Sequence, residues 1–195
     1  EPIAMTLRKC PALVLAKPDF RLYERNSKAF MDICRRYAPV VEKFSIDECF
    51  LDMSGTGLLY PEPVAIAHTI KDAIREALGF TVNVGIGANK LTAKMASDFE
   101  KPDKVHTLLP EEIPAKLWPL PVGDLLGVGR SAQKLLGQYG VETIGQLAAF
   151  PRETLETLMG KHGAQLHDYA NGLENSPVRP QHETEPVLSL IHISE

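Results

Sequence analysis

Asp47 and Glu48 are the residues of this chain whose types and spacing most directly suggest chemistry. They stand between Ile46 and the pair Phe50-Leu51 in the stretch FSIDECFLDMSG, Phe44 to Gly55. VVEKF (Val40 to Phe44) reads as a short strand and Cys49 to Met53 as the next, which puts the carboxylates at the bend of a two-strand hairpin. Neighbouring side chains of a regular strand point to opposite faces. The two carboxylates therefore reach one site only where the chain turns or bulges. Held together they repel each other and need a neutralising cation. Hard oxygen ligands suit Mg²⁺, which proteins usually hold by one or two carboxylates while phosphates supply the rest. Spacing alone favours the plainer reading, a solvated Asp-Glu pair in a turn.

Basic residues come next. GIGANKLT, Gly85 to Thr92, lacks the Gly-Lys-Ser/Thr of a phosphate-binding P-loop, because Asn89-Lys90-Leu91 intervenes. Its glycines are expected to end a strand, and Asn89 to cap a helix from Lys90 to Phe99. Lys90 and Lys94, at i and i+4, project from one face of that helix. Lys101 follows, before Pro102, whose ring restricts the local backbone; a solvated lysine is the plain reading there. Further on, DLLGVGRSAQKLLGQYGVETIGQL, Asp124 to Leu147, reads as a helix-hairpin-helix: a short helix, a Gly127-Val128-Gly129 hairpin, and a helix from Arg130. Glycines let a partner approach the backbone, and amides at a helix start can receive a phosphate oxygen. Arg130 and Lys134, one turn apart, can add phosphate contacts. The alternative is a tight αα-hairpin whose glycines serve packing alone.

The elements that must position these groups follow from periodicity. Met5 to Cys10 reads as the end of a helix stopped at Pro11, and Leu13 to Leu15 as a short apolar strand. From Asp19, read as the N-cap, Phe20, Tyr23, Phe30, Cys34 and Tyr37 recur at helical spacing over about five turns. Pro63 to Leu78 forms a second helix with the stripe Ile66, Ile70, Ile74 and Ala77; His68, Lys71, Asp72 and Arg75 face away, and Gly79 ends it. Thr81 to Gly87 alternates as a strand, and Val105 to Leu109 is the last strand before a run of short helices punctuated by Pro114, Pro119 and Pro121. Pro151 to Gly172 holds two more helices. Helices alternating with strands that include an antiparallel hairpin give an α+β class.

Composition limits the possibilities. The chain has 195 residues, 44% of them hydrophobic, enough for one large domain or two small ones. A formal net charge of −4 provides no global basic field for nucleic acid. Cys10, Cys34 and Cys49 lack a CxxC pair and read as buried thiols of a reducing compartment, and the six histidines show no ligand spacing. No apolar run approaches a membrane span, and no signal peptide is recognisable.

SIDECFLDMSG followed by FTVNVGIGANKLTAKMASDFEKPDKVHTL resembles the palm of a Y-family (translesion) DNA polymerase of the bacterial ImpB/MucB/SamB type, and the likeness extends to about Pro180. The resemblance implies a ferredoxin-like palm followed by an all-α thumb. It implies that Asp47 and Glu48 hold two catalytic Mg²⁺ ions, with Mn²⁺ as a substitute: Asp47 bridging both, Glu48 on the one nearest the primer. It places Lys101, and after it Lys94, at the incoming triphosphate. Gly127, Val128, Gly129, Arg130 and Lys134 would grip the duplex backbone. The implied reaction is attack of a primer 3′-hydroxyl on the α-phosphate of a deoxynucleoside triphosphate, with loss of pyrophosphate, opposite damaged template in DNA repair. Primer-template DNA and deoxynucleoside triphosphates are the implied partners of a cytoplasmic monomer without a membrane partner, and a sliding clamp would be reached through segments C-terminal to it.

The family's third carboxylate, steric gate and fingers would precede Glu1, and its little finger would follow the chain. The expectation is therefore a fragment, inactive alone: residues 1–17 a remnant of fingers, 18–109 an incomplete palm, 110–175 the thumb and 176–195 a linker or artefactual tail, with LSLIHISE resembling read-through sequence. Two alternatives belong to other classes. A non-catalytic helix-hairpin-helix module would bind DNA whatever stands at 47 and 48. A nucleotidyl cyclase can share the palm, but its acidic hairpin begins Gly-Gly, which FSIDEC lacks.

Overall fold

The computed structural model describes residues 2–180; Glu1 and the tail over 181–195, including LSLIHISE, lie outside the described residues. A short helix α1, Ile3–Lys9, precedes the long α2, Phe20–Cys34. The Asp19 carboxylate accepts the Leu22 amide at 3.0 Å, which starts α2 as a side-chain cap should. The expected stripe is only partly realised. Phe30 and Cys34 are buried, whereas Phe20 and Tyr23 are exposed and the helix ends before Tyr37. Leu13 to Leu15 is not a strand, because no neighbouring strand pairs with it and Val14 is exposed.

The hairpin forms as read: β1, Val40–Lys43, pairs antiparallel with β2, Cys49–Asp52, in the register Val41↔Leu51 and Lys43↔Cys49. Helix α3, Pro63–Leu78, closes at Gly79 with φ 76°. It packs with α2 on the hairpin through Phe30, Ile33, Val41, Ile70 and Ile74. Its faces differ from the periodicity. Ala77 is exposed, and Lys71, expected outside, is buried. The burial is tolerated because the Lys71 ammonium donates to Asp103 at 2.9 Å and Asp72 at 3.2 Å. Of the thiols, Cys10 is exposed, contrary to expectation, and the Cys34 and Cys49 sulfurs lie 3.8 Å apart.

Strand β3 spans only Val84–Gly87, shorter than the alternation from Thr81, and joins through α4, Lys90–Asp98, to the parallel strand β4, Val105–Leu108. The four strands thus make two separate two-stranded sheets among the described residues, within the expected α+β class. Gly85 lies inside β3 and does not end it. A Cβ there would meet the Ala93 carbonyl at 1.9 Å, and one at Gly87 the Thr92 hydroxyl at 2.3 Å. Both glycines exist so that α4 can lie directly on the strand.

After β4, one-turn segments at Pro110–Glu112, Ile113–Leu117 and Val122–Asp124 lead into α5, Arg130–Gln138, α6, Ile144–Ala149, α7, Arg152–Met159, and α8, Lys161–Ala170. Leu91, Met95 and Leu108 share a core with Leu117, Leu136, Ile144, Leu155 and Leu166, so α4 and β4 are tied to the helical part. Glu112 fastens this junction. It accepts from the Leu109 amide at 2.8 Å, the Lys116 ammonium at 2.6 Å and the Thr107 hydroxyl at 3.0 Å. The Leu109 amide first, then Lys116, hold its carboxyl down at about 2. A folded pKa below the unfolded one stabilises above the ordinary carboxylate range, and that stability fades as pH falls through the folded value. Glu112→Gln is expected to cost about 1.5 kcal/mol at neutral pH. In urea melts, the gap to the parent should close between pH 4.5 and 2; a gap constant down to pH 2 contradicts this assignment.

Candidate functional site

The acidic turn is closed by main chain: the amides of Phe44 and Ser45 donate to the Glu48 carbonyl at 2.9 and 3.1 Å. That fold-back defeats the alternation of a strand. Ser45 Oγ donates to Asp47 Oδ1 at 2.7 Å and lies 3.2 Å from Glu48 Oε2, so both carboxylates converge on one hydroxyl. Asp47 is exposed and Glu48 half-buried. A cleft of about 310 Å³ flanks Asp47, walled by Tyr23, Phe30, Ile46, Phe80 and Val82.

Helix α4 supplies the cations. Its start is fixed by a reciprocal cap, Asn89 Oδ1 accepting the Thr92 amide at 2.9 Å while Thr92 Oγ1 takes the Asn89 amide at 3.2 Å. With its backbone pressed on Gly85 and Gly87, the helix brings Lys90 to Glu42 at 3.0 Å and Lys94 against Glu48. Lys94 also pairs with Asp98 at 3.0 Å, and Asp98 holds Lys101 at 2.8 Å. Burial works against the Lys94 ammonium, yet its bonds to Glu48 and Asp98 prevail and keep its pKa above the ordinary lysine value. Burial likewise opposes ionisation of Asp98, and Lys101 and Lys94 more than offset it, so its carboxyl sits below the usual range. The turn beyond Lys101 is tethered to α3, Asp103 accepting from Lys71 at 2.9 Å and Arg75 at 2.7 Å.

Asp47 and Glu48 are thus joined through Ser45, and Glu48 is linked through Lys94 and Asp98 to Lys101. Gly127, Val128, Gly129, Arg130 and Lys134 form a separate feature on the helical part. The helix expected before that hairpin is only the single turn Val122–Asp124. Gly127 has φ 92°, which only glycine adopts freely. Gly129 has an ordinary φ of −85° and open space around it, so neither packing nor backbone geometry requires glycine there. Arg130 and Lys134 are exposed. Sequence reading missed Ser45, Glu42 and Asp98. A hydroxyl two residues before Asp47, and an acid at i+4 from Lys94 and i−3 from Lys101, were the available signals.

Two carboxylates thus converge beside an ammonium. Among the described residues no group of three or more His, Cys, Asp or Glu side chains gathers to hold a metal.

Comparison with solved structures gives the class. The crystal structure of DinB from Sulfolobus solfataricus superposes with a TM-score of 0.81 at 27% identity, covering 91% of this chain and 52% of that one. The insertion ternary complex of Dbh DNA polymerase superposes with a TM-score of 0.81 at 26% identity, covering 91% and 52%. The fold is the palm and helix-hairpin-helix thumb of a Y-family DNA polymerase. The sequence profile of the impB/mucB/samB family matches residues 1–98 and that of the IMS family HHH motif residues 110–141. The chain belongs to the impB/mucB/samB family. Its relatives include the DNA polymerase IV of Clostridium acetobutylicum, 44% identical over 171 residues, 88% of this chain and 43% of the relative. That of Moorella thermoacetica is 42% identical over 192 residues, 96% of this chain and 48% of the relative. The chain spans about half the length of the curated relatives it matches. No helix among the described residues is long and apolar enough to cross a membrane.

Proposed function

We propose that this chain supplies palm and thumb to a translesion DNA-directed DNA polymerase, which extends a primer 3′-end with deoxynucleoside triphosphates on damaged template. The observation that carries this reading is the convergence of Asp47 and Glu48 on Ser45 Oγ beside the lysine-bearing α4. Asp47 and Glu48 would hold Mg²⁺, two ions in all, with Mn²⁺ as a substitute. A metal held there would supply neutralisation of charge on the reacting phosphates and a lowered pKa for the attacking hydroxyl. The chain's own side chains orient and neutralise. Ser45 keeps the two carboxylates facing one point. Lys101, more than half exposed and needing only to leave Asp98, is free to meet a triphosphate as a point charge, with Lys94 behind it. Gly127 to Arg130 and Lys134 would take the duplex backbone. We place the palm over residues 18–109 and the thumb over 110–175, in a cytoplasmic monomer whose contact with a sliding clamp would lie elsewhere in the polymerase.

The metal reading is tested by titrating Mn²⁺ into the chain and following paramagnetic broadening by NMR. Resonances of residues 46–49 are expected to disappear first. Broadening centred instead on Glu111-Glu112 overturns the assignment; it is not expected, since Glu112 already spends its oxygens on Leu109, Thr107 and Lys116.

A further inference from the structure

Lys94 stands where the proposed metal would put positive charge, and the geometry raises the question of where it goes. Its ammonium touches Glu48 Oε1 and Asp98 Oδ2 at once. Its side chain is only 17% exposed. Its backbone is held in place, because α4 is capped at Asn89 and pressed on Gly85 and Gly87. A divalent cation on Glu48 repels this ammonium. Without a second partner, Lys94 would become a largely buried, unpaired charge, which is strongly unfavourable. Asp98 is that partner, one helical turn further on, and its other oxygen already accepts from Lys101 at 2.8 Å.

We infer that Asp98 is a positioning residue: it retains the Lys94 ammonium when a divalent cation takes Glu48, so that the lysine yields the carboxylate without losing an anionic partner. The inference rests on the proposed metal site. Asp98 does not touch the cation and acts only through Lys94. Removing its charge leaves Lys94 with Glu48 alone, and the lysine then competes with the cation for that carboxylate. Removing Lys94 abolishes both the competition and the need for Asp98.

The test is a double-mutant cycle on the full chain, read as the Mn²⁺ dissociation constant from broadening at residues 46–49. Asp98→Asn should weaken Mn²⁺ about threefold and Lys94→Met should tighten it about threefold, the scale of a partly exposed ion pair. In the Lys94→Met background, Asp98→Asn should change nothing. Asp98→Glu, which keeps the charge on a longer stem, should restore most of the parent affinity. Methionine keeps the buried stem of Lys94, and amide spectra away from α4 report retention of the fold. If Asp98→Asn weakens Mn²⁺ equally with and without Lys94, Asp98 contributes only to the general field and the inference is overturned. It is also overturned if Asp98→Asn has no effect in the parent. If Mn²⁺ fails to broaden residues 46–49 in the parent chain, the metal-site reading itself fails and this inference with it.

Discussion

Primer extension by a polymerase carrying this chain as its palm is expected to fall at least ~1,000-fold when either Asp47 or Glu48 is replaced by alanine. A factor of that size corresponds to about 4 kcal/mol of transition-state stabilisation, the range that charge neutralisation by a bound metal supplies. The structure makes this a clean experiment. The turn is held by the Phe44 and Ser45 amides on the Glu48 carbonyl, and no side chain of Asp47 or Glu48 takes part in that closure. Alanine at either position should therefore leave the hairpin register intact. In Glu48→Ala, Lys94 keeps Asp98, so no buried ammonium is stranded. The measurement is single-nucleotide incorporation at saturating triphosphate and Mg²⁺, with the polymerase completed by the remaining segments of a full-length relative. Extension within tenfold of the parent by either variant refutes its catalytic role. A loss in KM alone, with kcat kept, would assign the carboxylate to binding and not to the chemical step.

What was legible in the sequence was local. The caps at Asp19 and Asn89 need only a side-chain oxygen and an amide two or three residues away, and both formed. The hairpin needed two short apolar runs and a turn between them. Features decided by distant chain were misread. Lys71 looked like an outward position because its partner Asp103 lies 32 residues away. Gly85 looked like a strand end because nothing in its neighbourhood announces that α4 will lie on it. Leu13 to Leu15 is apolar enough for a strand, but a strand requires a neighbour that local composition does not reveal. The same distinction runs through the site. Asp47 and Glu48 were found as a pair, whereas the Glu48–Lys94–Asp98–Lys101 series spans two elements and became visible only with the fold.

The other large expected effect concerns DNA. The chain has a net charge of −4, so any duplex binding must come from a local feature and not from a general field. The hairpin before α5 offers one: first-turn amides of a nine-residue helix, with Arg130 and Lys134 exposed beside them. Gly129 separates a partner-facing role from a packing role. An alanine methyl there meets nothing within the chain and its φ is ordinary, so the fold should tolerate Gly129→Ala. A phosphate drawn up to the α5 amides, however, would meet that methyl. We expect Gly129→Ala to weaken primer-template binding about tenfold while costing about 1 kcal/mol of stability, since glycine ranks above alanine at an N-cap. Gly127→Ala is less informative, because φ 92° penalises any side chain before DNA is considered. Arg130→Ala should weaken binding irrespective of sequence and reduce the slope of log K against log salt by about one, the signature of one lost phosphate contact. Fluorescence anisotropy with a labelled primer-template across a salt series reads both quantities. Should folded Gly129→Ala bind duplex as tightly as the parent, the hairpin serves only to join two helices, and the thumb assignment loses its link to DNA.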